Sequence, residues 1–409
     1  MQVPLDQRGV APARNANFFH AFILLSTVIC GTLAPTVIGP VLPEIQRYFA
    51  NVPGIETLVP VIVTMPMLVL GVLAVVIGAI SDRIGRKRVL VGALVLYALA
   101  GTAPLYLDSI YTILASRALV GLAEAAVMTV STSLIGDYFS GAKRDRYASL
   151  QTTFASVSAF TFNLLGGMLG EHGWRTPFAA YALPLLLAPL VQFCLWNPTR
   201  MHDGQLTGSS SSADEPDFNG WLLALVCVIS FGVGLVFMIV PVHLSFMLVD
   251  LGTHAPNEIG MAYAMNSLGV IVGTATFGWV LVSRFGVLQQ LLIGTALCGI
   301  GFITMGSAHD YASLTLGAAI NGAGCGVVLP TVISWGLRSL PFARRGFGTG
   351  AFTASQFIGY FCSPLLVMPM VGYWGSRFAV VEGWGFALIA LAAVAFVASL
   401  RTRNRLKLG

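Results

Sequence analysis

The chain has 409 residues, of which 56% are hydrophobic and only 10% charged, with 45 glycines, 25 phenylalanines and a formal net charge of +5. A water-soluble domain carries roughly 25% Asp, Glu, Lys and Arg to solvate its surface, so this composition excludes a soluble protein and puts most of the surface in lipid. The six cysteines, Cys30, Cys194, Cys227, Cys298, Cys325 and Cys362, all fall in apolar stretches without a CxxC pair, which argues against a disulfide framework or a zinc site.

The first sixteen residues are polar and lead into an apolar stretch with no small-residue cleavage site, so that stretch reads as a retained first span rather than a removed leader. Apolar stretches of about 18 to 28 residues are long enough to cross the roughly 30 Å hydrocarbon core. Twelve are predicted: Asn17 to Ile45, Thr57 to Ser81, Val89 to Leu107, Tyr111 to Tyr138, Tyr147 to Gly170, Pro177 to Trp196, Gly220 to Val249, Asn257 to Ser283, Val287 to Ser307, Tyr311 to Leu337, Gly346 to Met370 and Ala379 to Leu400. They are too long for barrel strands, and a backbone in lipid must satisfy its own hydrogen bonds, so they are expected to be helices. The fold class is an all-α membrane protein.

With both termini cytoplasmic, the outer loops hold only Arg47, Arg175 and Arg377, Arg117 lies inside a span, and the rest of the 22 Lys and Arg fall on the inner side. This is a positive-inside pattern. It accounts for the net charge without a nucleic-acid partner, because the bases sit at membrane borders, as in Arg83, Arg86, Lys87 and Arg88. The expected location is the inner (plasma) membrane of a bacterial cell, as a multi-pass protein.

The one long polar tract, Asn197 to Asn219, contains Gly208, four serines from Ser209 to Ser212, and then Asp214, Glu215 and Asp217. By composition it is a flexible linker. The chain therefore divides into an N-terminal six-helix bundle, 1–196, a cytoplasmic linker, 197–219, and a C-terminal six-helix bundle, 220–409. A shift of 201 positions brings Pro40 onto Pro241, Gly121 onto Gly322, Arg144 onto Arg345, and Arg83-Ile84-Gly85 onto Arg284-Phe285-Gly286. Such a duplicated twelve-helix chain is a transporter design, with its site between the halves near mid-membrane.

The loop after the second span reads Gly78-Ala79-Ile80-Ser81-Asp82-Arg83-Ile84-Gly85-Arg86-Lys87-Arg88. It closely resembles the G-x-x-x-D-R-x-G-R-[RK]-[RK] signature of the major facilitator superfamily, and with the spans, duplication and linker the resemblance covers nearly the whole chain. The resemblance implies two bundles rocking about a central cavity, and a gating role for Gly78, Asp82, Arg83, Gly85, Arg86 and Arg88. In the family the matching Asp, here Asp82, holds the bundles together on the cytoplasmic side through charge pairs and the positive end of a helix in the other half. The second-half copy has Ser283 in place of Asp82 and lacks the trailing bases, which predicts an asymmetric gate.

Span four holds Arg117 and Glu124 within hydrocarbon depth. Seven residues make about two helical turns, so both side chains share a face roughly 10 Å apart along the axis. An intramembrane charge costs about 2.5 to 3.5 kcal/mol even on the lenient insertion scale. Arg117-xxx-Gly121 resembles the family's fourth-helix motif of proton-coupled members, which implies a coupling role for Arg117. The expectation is that Glu124 carries the proton while Arg117 tunes it or binds an anionic part of the substrate; the alternative is a static ion pair that fixes helix packing.

Asn163, Asn266, Asn321, Gln356 and Tyr360 are the further substrate-contact candidates, and with Arg117 they form the expected substrate set. His243, just after Pro241, reads equally as an outer-gate group or a proton relay. Polar side chains also glue membrane helices together, so each amide has a packing alternative.

Antiporters of the family carry a G-P-x-x-G-G element in the fifth helix; here Phe162-Asn163-Leu164-Leu165-Gly166-Gly167 keeps the paired glycines but has Asn163 at the proline position. Gly173-Trp174-Arg175-Thr176-Pro177-Phe178 resembles a segment of bacterial exporter-like members. The expected function is a proton-coupled exporter of a small amphipathic compound. An importer of an organic anion with Arg117 as its carboxylate contact, or a facilitator, is the alternative. The partners are the substrate, protons and the bilayer, with a monomer expected and the proton gradient in place of any cofactor. No HExxH, Walker loop or nucleophile elbow is present, so the sequence offers no enzyme chemistry.

Overall fold

The computed structural model describes residues 16–139, 141–197, 219–338, 340 and 345–405. Among these, twelve helical stretches are long and apolar enough to cross a membrane. They are α1 (Phe18–Tyr48), α2 (Ile55–Ile84), α3 (Arg86–Thr102), α4 (Ile110–Tyr138), α5 (Gly141–Gly170), α6 (Thr176–Cys194), α7 (Gly220–Asp250), α8 (Pro256–Arg284), α9 (Val287–Gly306), α10 (Tyr311–Arg338), α11 (Arg345–Trp374) and α12 (Arg377–Arg405). The polar tract assigned as a linker lies outside the described residues at 198–218, as do residues 1–15 and 406–409.

Several spans are not simple rods. The first is broken into Phe18–Ser26, Ile29–Val37 and Leu42–Tyr48, with Pro35 inside the middle piece and Gly39-Pro40 in a 3-10 turn. Each proline removes a backbone donor and clashes with the preceding turn. The sixth starts as a 3-10 helix over Thr176–Leu186, bearing Pro177 and Pro184, before relaxing to α at Leu187–Cys194. The seventh breaks at Met238, three residues ahead of Pro241. The predicted third span begins too late: Gly85, at φ +105°, ends α2 and turns the chain so that Arg86 already opens α3. A side chain with a Cβ rarely takes that φ.

Most of the buried apolar residues fall into two large clusters, with two small ones beside them. One large cluster is drawn from Ala21 to Leu195, joined by Phe246, and the other from Ile239 to Leu388. Where the two sets of six helices meet, α2 packs on α11 and α5 on α8. At the second crossing the backbones almost touch: a Cβ on Gly167 would lie 2.6 Å from the Pro256 carbonyl oxygen, and one on Gly260 2.6 Å from that of Asn163. No side chain fits there, which gives the paired glycines of α5 a steric reason. Nearby, the Glu171 carboxylate accepts from the Asn257 amide at 3.0 Å, and the Tyr263 ring lies 3.2 Å from where a Cβ on Gly39 would be. The α5–α8, Glu171–Asn257 and Tyr263–Gly39 contacts gather where α5 ends and α8 begins, and hold the halves together there, whereas α2 and α11 approach nearer mid-span, at Gly71 and Ala354.

Candidate functional site

Arg117 and Glu124 are almost fully buried on α4, at 0% and 1% exposure. The Arg117 Nη2 donates to the carbonyls of Ala100 and Gly101, at 3.0 and 2.9 Å, in the last turn of α3. Those oxygens have no intrahelical partner and carry the negative end of the helix dipole. The guanidinium also lies 4.7 Å from the Tyr181 ring centroid and 5.1 Å from that of Phe178. Gly101 makes room for this arrangement, since a Cβ there would meet Tyr181 at 2.4 Å. The arginine is thus compensated by carbonyls and π faces on α3 and α6, and its Nη1 is left without a partner.

Glu124 is different. Its Oε2 has no hydrogen-bond partner, and no ion pair joins it to Arg117 among the described residues. The static ion pair of the sequence alternative is therefore not formed: the Arg117 Nη2 is turned to the carbonyls of α3 and Nε to Ser116 Oγ. Cys30, Tyr97 and Tyr181 lie within electrostatic range of the carboxyl. The Tyr97 hydroxyl donates to the Cys30 carbonyl at 2.7 Å, and Thr27 and Ser131 share a 2.6 Å hydroxyl contact between α1 and α4. The carboxyl consequently sits where the broken first helix, α3, α4 and α6 converge. An ionised carboxylate taken out of water without a partner is costly, so this is a position where gain or loss of a proton carries a large energetic consequence.

The amide candidates separate into three groups. Asn163 reaches across the halves, donating to Ser267 Oγ at 2.9 Å and to the Tyr263 carbonyl at 3.4 Å. Asn266 and Asn321 bond within the second half, to the Ala318 carbonyl at 2.7 Å and the Cys298 carbonyl at 3.3 Å. Gln356 donates to the Tyr360 hydroxyl at 2.7 Å on α11, and Tyr360 packs with Met67 of α2, Met238 and Val242 at the junction of the halves. Asn163, Gln356 and Tyr360 are thus at that junction, Asn321 faces α9, and Arg117 and Glu124 lie inside the first half. His243 is 1% exposed with both ring nitrogens unpartnered. Arg377 faces it electrostatically, pairs with Asp250 at 3.3 Å and covers the Phe246 ring.

At the turn from α2 into α3, Arg86 is the hub. It donates to Asp82 Oδ1 through Nε and Nη2, at 3.2 and 3.1 Å, and to Asp137 Oδ2 at the end of α4. The Lys87 amide donates to Asn197 Oδ1 at 2.9 Å, and Tyr138 stacks on Trp196 while donating to its carbonyl. This ties α2, α3, α4 and the end of α6 into one assembly. Arg83 and Arg88 are exposed beside it, and Gly78 passes close to Thr129 of α4. Asp137, Tyr181 and Ser267 were not singled out from sequence, and Phe178 only as the last residue of the Gly173–Phe178 segment. Asp137 alone gave a signal, as a second acid at a span end facing the basic loop.

Comparison with known proteins decides the family. The Major Facilitator Superfamily model matches residues 24–253 and 222–407, nearly the whole chain. The chain belongs to the Major Facilitator Superfamily. It is 24% identical to an uncharacterised MFS-type transporter, Rv1877, of Mycobacterium tuberculosis over 86% of this chain, which spans 58% of that relative's length. It is 23% identical to the class C tetracycline resistance protein of Escherichia coli, over 91% of this chain and 95% of that one. The xylose transporter XylE of E. coli, solved in an inward open conformation, has the same fold at a TM-score of 0.72 and 16% identity, over 92% of this chain and 94% of that one. Its relatives in this family are transporters and resistance proteins, not enzymes.

Proposed function

We propose that this superfamily member exports a small amphipathic molecule in exchange for protons, with Glu124 as the proton carrier. The carrying observation is the contrast on α4. Arg117 is held by backbone carbonyls and aromatic faces, whereas Glu124 is buried with an oxygen that nothing satisfies. A group that must take and release a proton during each cycle is best left without a permanent counter-ion, and a fixed cation two turns away raises the contrast between states. Asn163, Gln356 and Tyr360 contribute to the substrate site at the junction of the halves. The loop around Asp82, Arg86 and Asp137 is the gate on the terminal side, and the cytoplasmic membrane gradient supplies the energy to a monomer without a cofactor.

Export is favoured over import by two considerations. The tetracycline resistance relative protects a cell, and in a family of transporters protection is achieved by moving the drug out. The importer reading needs Arg117 for the substrate carboxylate, yet its Nη2 is engaged by Ala100 and Gly101, leaving Nη1 alone. The test is solute and proton flux in oriented proteoliposomes, wild type against Glu124→Gln. Opposed fluxes lost in the variant support the proposal; parallel fluxes establish import, and solute movement without protons establishes a facilitator.

A further inference from the structure

In the second half, Cys298 of α9 and Cys325 of α10 bring their sulfurs to 3.7 Å. The approach is set by the backbones: a Cβ on Gly324 would lie 2.5 Å from the Cys298 nitrogen, and one on Gly301 2.4 Å from that of Asn321. Asn321 reinforces the pair, its Oδ1 3.6 Å from the Cys325 sulfur and its carbonyl 3.8 Å from that of Cys298. Both thiols line a cavity of about 460 Å³ whose other walls are almost wholly apolar side chains of α7, α9, α10 and α12, among them Val233, Leu291, Leu388 and Leu391. Leu288 and Leu391 on its wall are also exposed on the outer surface of the spans, so a lipophilic molecule has a way in from the bilayer.

We propose that this dithiol is a binding site for lipophilic trivalent thiophiles, of which monosubstituted organoarsenicals are the chemical type. Two preorganised sulfurs nearly in contact can share one bridging soft centre, and thiols are the protein ligands that soft centres select. A direct disulfide, with sulfurs about 2.0 Å apart, demands a larger closure from helices whose backbones already touch. The apolar substituent of the ligand then occupies the cavity. With phenylarsine oxide, two As–S bonds form, the As–O bond breaks, and both thiol protons leave with the oxygen as water; no electrons are transferred.

The test is intact-mass measurement of the purified full-length protein after stoichiometric phenylarsine oxide. The expected result is one phenylarsenic adduct per chain, stable to a monothiol, removed by 2,3-dimercaptopropanol, and lost in both Cys298→Ser and Cys325→Ser. Replacing Cys30, Cys194, Cys227 and Cys362 together by serine leaves it in place. Ala392→Phe, which fills the cavity while keeping both thiols, slows its formation, and this variant keeps the proposal testable if a serine variant misfolds. No monothiol-stable adduct in the wild type, or an adduct that persists in folded Cys298→Ser, overturns it.

Discussion

Arg117 and Glu124 stand two turns apart on one face of α4, both buried, and do not pair: the arginine is bonded to Ala100 and Gly101 on α3, and the carboxyl has an oxygen with no partner. The two charges thus have separate tasks, and they respond differently to substitution.

Glu124→Gln removes a buried carboxyl that nothing in its surroundings satisfies. The variant is expected to fold with a thermal midpoint at or above that of the wild type, because an unpartnered buried acid contributes no stabilising bond. Its transport is expected to lose dependence on a pH gradient while substrate binding persists. Thermal unfolding and binding titrations at two pH values check this.

Arg117→Ala should behave as a structural lesion as well as a transport defect. It leaves the last carbonyls of α3 and the faces of Tyr181 and Phe178 without their cation. Loss of a charge-assisted bond and a desolvated cation–π contact is worth about 3 kcal/mol. Arg117→Lys should recover little, since a point ammonium cannot serve two carbonyls and two rings at once. Chemical or thermal unfolding in detergent reads the loss directly.

Closure at the end of the bundle where α5 ends and α8 begins depends on backbone contact between those two helices. Gly260→Val places methyl groups against the Asn163 carbonyl, 2.6 Å from the Cβ position, and is expected to force the halves apart there. Crosslinking between Cys introduced at Asn163 and Ser267, whose side chains are bonded at 2.9 Å, should be efficient in the parent background and strongly reduced with Gly260→Val. Trapping that crosslink should stop transport.

Asp137→Asn and Asp82→Asn each remove one partner of Arg86. The groups are partly exposed, so each substitution should cost no more than about 1 kcal/mol of stability. The conformational balance should move much more, because the same arginine ties three helix ends together. Distance measurements between spin labels on the two halves, compared with the unfolding midpoint, separate the two effects.

The helical architecture was legible from apolar run length, because the bilayer sets span length and forbids unsatisfied backbone. The family was legible from the loop Gly78 to Arg88 and was decided by the comparison. Arg117 and Glu124 stood out because charges at that depth are expensive. What stayed hidden were relations between helices. Nothing in the spacing of Arg117 and Glu124 revealed that α3 would present two orphan carbonyls to the arginine. Asn163, Asn266 and Asn321 look alike along the chain, yet the first bridges the halves and the others bond inside one half, a distinction set by helix rotation. The 3-10 start of α6 also escaped, since Pro177 and Pro184 in an apolar run do not by themselves say whether the helix kinks or tightens.

The most direct test of the account is proton flux in oriented proteoliposomes holding a pH-sensitive dye, with candidate amphipathic substrates added to wild type and Glu124→Gln protein. The expected result is substrate-dependent proton movement opposite to the substrate, abolished in the variant. Undiminished proton-coupled transport by a folded Glu124→Gln protein would contradict the assignment of Glu124 as carrier.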